Sequence, residues 1–239
     1  MDKSEQHIAH AFDRSLESLQ ASIMKMGGLV EEAIHEAADA LEARDEELAE
    51  KVRLKDSAID ELEKHVMEQA AMIIAERQPM AFDLRTILSV MKIAGNLERI
   101  GDYAKNMAKR TGVLVQMRPV EEDGAASRRM ARMVEVMLND ALDAFIQRDA
   151  ELAEDVLQRD LEVDQMYNSL FRNYLTFMME DPRNITACMH LHFIAKNIER
   201  IGDHVTSIAE QVIYLATGEL PDDVRPKGDR TSLVNQEKI

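Results

Sequence analysis

The sequence predicts an all-α protein built as two tandem three-helix bundles related by internal duplication. Three observations predict it. Asn96-Leu97-Glu98-Arg99-Ile100-Gly101-Asp102 returns about one hundred positions later as Asn197-Ile198-Glu199-Arg200-Ile201-Gly202-Asp203, with Leu against Ile the single change. A match so strict at such a distance marks a duplicated unit. Apolar residues recur at steps of three and four along the chain, the period of an amphipathic helix. Among 239 residues aromatics are 4%, Trp is absent, Met numbers 16, and only 9 Gly and 5 Pro interrupt the chain. Such a composition suits long helices packed through Leu, Ile, Met and Ala.

In the first helix Phe12, Leu16, Leu19, Ile23, Met26, Val30, Ile34, Ala37 and Leu41 form one stripe. Gly27-Gly28 interrupts it, as a bend or a close helix contact. A second helix follows Arg44-Asp45, with Asp45 as its N-cap. Its stripe is Leu48, Val52, Ile59, Leu62, Val66 and Ile73, and Gln78-Pro79 ends it, because a residue before proline leaves the helical region. The third helix runs from about Pro79 to Arg110, with Pro in its first turn. Thr111 to Asp123 reads as the linker. The second half repeats the plan with helices from about Gly124 to Gln147, Asp149 to Glu180 and Pro182 to Thr217. Arg148-Asp149 repeats Arg44-Asp45, and Asp181-Pro182 repeats Gln78-Pro79. The expected bundles are 7–112 and 124–217, followed by a polar, breaker-rich tail, 218–239, expected to be disordered.

Charge narrows the function. The formal net charge is −16, from 29 Lys and Arg against 45 Asp and Glu. A DNA backbone or an anionic lipid surface calls for the opposite sign, so neither is an expected partner. The single cysteine, Cys188, cannot form an intrachain disulfide and reads as a small core residue. The N-terminal MDKSEQHIAHAF has no basic segment leading into an apolar run, and no stretch approaches the roughly 20 apolar residues of a membrane span. The expected location is the cytoplasm, without membrane insertion.

The repeated string also carries chemistry. Ile93, Leu97, Ile100, Ala104 and Met107 form one seam, as do Ile194, Ile198, Ile201, Val205 and Ile208. On a helical wheel Glu98 and Asp102, and likewise Glu199 and Asp203, point away from these seams. The second helix of each half adds a pair on the flank of its stripe, Asp56 with Asp60 and Asp160 with Asp164. Folding each hairpin about its proline turn sets Asp60 level with Glu98 and Asp56 with Asp102. It also sets Asp164 level with Glu199 and Asp160 with Asp203. Like charges one turn apart repel by a few tenths of a kcal/mol per pair. Two such pairs facing each other call for a cation, and an all-oxygen set suits magnesium, manganese or iron. Asn106, one turn beyond Asp102, can add a carbonyl oxygen; its counterpart is Ser207. For any one pair a solvated acidic face is the simpler reading, and it is the duplication in matching register that favours metal. Glu32-Ala33-Ile34-His35 resembles half of a di-iron ligand motif but occurs once and reads as surface. His190, His192 and His204 read as surface or boundary residues, although His204 adjoins Asp203. No phosphate-binding Gly loop, nucleophile elbow or kinase signature is present.

With NLERIGDYAKN in one half, NIERIGDHVTSIAE in the other, and Phe82-Asp83-Leu84-Arg85 ahead of the first, the chain resembles the PhoU family from about residue 7 to 217. The resemblance implies two three-helix bundles with multinuclear metal clusters on Asp56, Asp60, Glu98, Asp102, Asp160, Asp164, Glu199 and Asp203. Their metal would be iron, manganese, magnesium or zinc. It implies a homodimeric regulator without catalysis, which restrains the phosphate-starvation response when phosphate is plentiful. Its implied partners are the ATPase of the phosphate ABC transporter and the PAS domain of the phosphate sensor histidine kinase. Ser207 departs from the family pattern, which often has Asn there, and the tail is peculiar to this chain. The competing reading is a ferritin-like di-metal oxidase, which needs paired histidines inside a four-helix bundle; the outward tilt of Glu98 and Asp102 argues against it.

Overall fold

Seven α-helices account for nearly all of the described chain. They are α1 (Lys3–Ala43), α2 (Glu46–Lys55), α3 (Ser57–Arg77), α4 (Ala81–Val115), α5 (Ala125–Gln147), α6 (Ala150–Glu180) and α7 (Ile185–Thr217), with a 3-10 turn over Pro182–Asn184 before the last. The computed structural model describes residues 3–120 and 124–221, and side chains from residue 14 onward. The Phe12 side chain and most of the tail expected to be disordered therefore lie outside what is described.

The two Arg-Asp dipeptides build the same corner twice. Arg44 and Arg148 adopt left-handed backbone, φ 53° and 55°. The following Asp N–H then reaches back to the carbonyl of Ala40 at 2.9 Å or Ala144 at 3.0 Å, as in a Schellman ending. Each Asp next caps the new helix: Asp45 accepts from Leu48 N and Asp149 from Leu152 N, both at 3.0 Å. At Asp56 the regular hydrogen bonding slips, dividing α2 from α3. The backbone there stays helical (φ −57°, ψ −37°), so the two run on nearly as one helix.

Three boundaries differ from expectation. Gln78 ends α3 in the left-handed region, φ 48°, and α4 begins at Ala81, so Pro79 lies in the turn and not in the first helical turn. Helix α4 continues to Val115, past the expected linker start. The shortened connection is pinned by Arg44, whose guanidinium bonds the carbonyl oxygens of Leu114 and, at 2.6 Å, Met117. Helix α1 does not break at Gly27-Gly28. A Cβ at Gly27 would collide with Leu142 on α5, whereas Gly28 faces open space. The glycine pair is thus a close helix contact and not a bend.

The predicted stripes are the core. Both repeated seams are buried throughout, as are Leu19, Ile23, Met26, Val30, Ile34, Ala37 and Leu41, and Cys188. Each such large apolar side chain contributes about 1.5–3 kcal/mol on burial. The two halves pack against each other through one continuous core. Helix α4 runs antiparallel to α7: Arg85 Nη1 reaches the Tyr214 carbonyl at 3.3 Å, Asn96 meets His204 at 2.8 Å, and Arg110 lies over Phe193 at 4.2 Å. Helix α1 runs antiparallel to α5, joined by Arg128 to Asp39 and Glu42 and by Asn139 to Glu31.

Candidate metal centres on the two hairpins

In the first half, α4 folds back on α2 and α3 in the expected register. Gly101 makes the approach close: a Cβ there would sit 2.9 Å from Ile59 Cδ1 and 3.6 Å from Asp56 Oδ1. Asp56 thereby sinks to 5% exposure. Lys105 Nζ lies 2.5 Å from Asp56 Oδ2 and 3.6 Å from Asp102 Oδ1. The group is felt electrostatically. Burial, then the Asp56 charge, push the Asp60 carboxyl above its ordinary range, and burial, then Asp102, do the same to Glu98, which also feels Asp60. Hydrogen bonding to Asp56 raises Lys105 in turn. Asn106 is exposed one turn further along α4.

The second half repeats this with deeper burial. Asp164 and Glu199 are each 6% exposed, and a Cβ at Gly202 would lie 2.9 Å from Asp160 Oδ1. Lys196 Nζ donates to Glu199 Oε1 at 2.8 Å. Glu199 Oε2 is buried with no hydrogen-bond partner, and Arg200 Nε stands 3.8 Å from it. Burial pushes the Glu199 carboxyl up. Asp203 stands 3.5 Å from Arg200 Nη1, and the Ser207 hydroxyl turns to the Asp203 carbonyl at 3.0 Å.

The expectation that Glu199 points away from the core therefore needs correction, and Asp56 and Asp164, expected on the flank of their stripes, are buried as well. A wheel locates a residue relative to its own helix's seam, but here the neighbouring helix covers the flank. Each hairpin also contains a lysine that the sequence reading passed over. Lys105 follows Asp102 by three positions and Lys196 precedes Glu199 by three, so both lie on the carboxylate face by helical spacing. They occupy different places in the repeat: Lys105 corresponds to Thr206 and Lys196 to Gly95.

The donor chemistry fits a hard cation, being all carboxylate oxygen, with an unpartnered Glu199 oxygen among the donors. Among the described residues, however, no three His, Cys, Asp or Glu stand close enough together to enclose an ion; the lysine ammonium groups supply positive charge instead. His204 hydrogen-bonds Asn96 and lies 5.6 Å from the Tyr103 ring, so it joins α7 to α4, while still feeling the Asp203 charge. His192 packs against Tyr167 and Phe171. Glu32 pairs with Lys55 at 2.6 Å, and His35 lies 3.5 Å from Glu135 and 3.4 Å from Asp39. The single Glu-x-x-His is accordingly surface structure, and among the described residues no paired histidines of the ferritin-like kind are assembled into a cluster with it.

The repeat and the fold have parallels in known proteins. The family model described as the PhoU domain matches residues 23–111 and again 127–212, one match in each half. The phosphate-specific transport system accessory protein PhoU homolog of Rhizobium meliloti (strain 1021) is 46% identical over 229 residues, covering 96% of this chain and 97% of that protein. The homolog of the same description from Caulobacter vibrioides (strain NA1000 / CB15N) is 42% identical, covering 94% and 97%. Among solved structures, PhoU from Pseudomonas aeruginosa superposes with a TM-score of 0.84 at 40% identity, over 87% of this chain and 100% of that one. The phosphate transport system regulatory protein PhoU from Streptococcus pneumoniae gives 0.82 at 32% identity, over 88% and 99%. By the doubled match and these nearly full-length likenesses, the chain belongs to the PhoU family.

Proposed function

We propose that this protein is a cytoplasmic, metal-binding regulator of phosphate uptake and homeostasis, which restrains the phosphate-starvation response. It acts by contact and turns over no substrate. The observation that carries the reading is that relatives matching almost the whole chain are named as accessory proteins of phosphate-specific transport. Its partners in this reading are the ATPase of the phosphate ABC transporter and the PAS domain of the sensor histidine kinase, which a homodimer bridges. The test is a deletion strain grown in phosphate excess: its phosphate-starvation genes should be switched on. Silent genes together with normal phosphate uptake would end the regulatory reading.

The metal part of the proposal places iron, manganese, magnesium or zinc on Asp56, Asp60, Glu98 and Asp102, with Asn106, and on Asp160, Asp164, Glu199 and Asp203. A bound cation would supply the positive charge that Lys105 and Lys196 now bring to these groups. Carboxylates raised by burial and, to a lesser degree, by neighbouring carboxylates in each half support the reading, because a bound cation offsets the cost of keeping them charged there. Oxygen donors select weakly among hard cations, so different preparations should carry different ions. The variant Asp102→Ala/Asp203→Ala should hold less metal than the parent when purified without chelators, with its helical circular dichroism unchanged. Equal metal content in both proteins would remove the assignment.

A further inference from the structure

Helices α5 and α6 leave a groove between them, a cavity of about 320 Å3 that is open along one side. Its floor is Met133, Val136 and Met137, and its rim carries Arg129, Arg132 and Arg159 together with one acidic residue, Glu162. Three guanidinium groups together are unusual in a chain of net charge −16. Arg159 is held by Asp140 at 2.6 Å and Asp155 at 3.0 Å. Arg129 and Arg132 are exposed, and neither forms an ion pair among the described residues. Val136 is 47% exposed. On α5 the residues 129, 132, 133 and 136 follow steps of three, one and three, so arginines and apolar side chains share one outward face.

The first half supplies an internal comparison. The offset that relates Asp149 to Asp45 relates Arg159 to Lys55, Asp140 to Glu36, and Val136 to Glu32. The ion pair is retained in both halves, with Lys55 3.0 Å from Glu36. In the first half, however, Glu32 also takes Lys55, at 2.6 Å. The duplicated groove is closed there by a carboxylate bridge and left apolar here by Val136.

We propose that the groove between α5 and α6 docks an acidic amphipathic helix of a partner protein. Met133, Val136 and Met137 receive its apolar stripe, and Arg129 and Arg132 its carboxylates. A groove between two antiparallel helices has the shape for a third helix lying in it, the mode in which apolar residues at i, i+3, i+4 and i+7 serve as anchors. Charge complementarity sets the sign of the partner. Three arginines against the single Glu162 leave the rim positive, with Arg159 held by its aspartates and Arg132 feeling Glu135. The exposed Arg129 and Arg132 over an apolar floor therefore favour Glu and Asp flanking Leu or Ile. A small polyanion finds no floor of polar donors, and an anionic membrane is disfavoured by the charge of the whole chain.

The proposal rests on the adaptor reading only in taking the occupant to be a protein. Its test uses the purified full chain and needs no phosphate phenotype, so the two readings can fail separately. The probe is a fluorescein-labelled synthetic helix with Leu at i, i+3, i+4 and i+7 and Glu on both flanks, followed by fluorescence anisotropy. Arg129→Glu/Arg132→Glu should weaken binding by about tenfold or more. Val136→Glu, which recreates the closed arrangement of the first half and so should fold, should weaken it likewise. Leu54→Ala, at a 70% exposed apolar residue on α2, should leave it unchanged, and the same peptide with Lys for Glu should not bind. No binding of the acidic peptide, equal binding by all variants, or displacement of the peptide by inorganic pyrophosphate would overturn the proposal. In cells, a photo-crosslinking p-benzoylphenylalanine at position 136 should yield an adduct whose sequenced peptide is an acidic amphipathic segment of another protein. An adduct with a second copy of this chain, with phospholipid or with a basic segment would overturn it as well.

Discussion

Single residues decide how near the helices come. Gly124 shows this most directly, because a Cβ there would stand 2.6 Å from the Cα of Glu42, and backbone cannot rotate away. Gly124→Ala should cost about 1–3 kcal/mol. Gly28 meets nothing within 4 Å in the middle of α1, so Gly28→Ala should stabilise by about 0.5–1 kcal/mol through helix propensity. Urea unfolding of the two variants measures the contrast, and the same sign for both would contradict the packing described. Glu135 tests electrostatics apart from the carboxylate groups. Burial pushes its carboxyl up, against the pull of His35, whose Nδ1 is 3.5 Å away; Glu135 itself is 14% exposed. A raised carboxyl favours its protonated form in the folded state. Its contribution to stability is therefore best below the ordinary glutamate range and is lost as pH rises through the raised value. Glu135→Gln should melt higher than the parent at neutral pH, with the gap closing on acidification. A gap that widens in acid would show that the His35 contact outweighs burial.

At the scale of the element, the repeated Arg-Asp corners tie local sequence to hairpin geometry. The Asp ends one helix through its N–H and begins the next through its carboxylate. Asp45→Ala and Asp149→Ala should each cost about 1 kcal/mol, measured by chemical unfolding, whereas Asn at either position should retain most of the stability. Loss in the Asn variants equal to that in the Ala variants would mean that the charge matters and the cap hydrogen bond does not. These corners fix where each hairpin turns. The proline turns at the other end then fix the register that sets Asp60 beside Glu98 and Asp160 beside Gly202.

The whole molecule is more than two repeats placed in line. Arg85 illustrates the union: it bonds the Tyr214 carbonyl, lies 5.8 Å from the Phe82 ring and 5.6 Å from that of Tyr214, and a Cβ at Gly218 would touch its guanidinium at 2.5 Å. The FDLR motif thus fastens the start of α4 to the end of α7. Because α1, α4, α5 and α7 share one core, the full chain should unfold in a single transition. A fragment of residues 1–120 should expose the apolar sides of α1 and α4, bind a hydrophobic dye and self-associate. A monomeric fragment with its own sharp transition would indicate independent halves.

The sequence by itself determined the helices, their buried stripes, the duplication, both Arg-Asp corners and the level of the carboxylate pairs. These follow from local periodicity, capping chemistry and loop position, which act over a few residues or repeat visibly. Only the tertiary structure decided that Asp56, Asp164 and Glu199 are buried, that Lys105 and Lys196 enter the carboxylate groups, and that His204 turns to Asn96. It also decided that Gly27 is a contact point and that the halves share a core. The physical reason is the same throughout: a wheel describes one helix in isolation, whereas burial and ion pairing are fixed by whichever helix the fold lays against its flank.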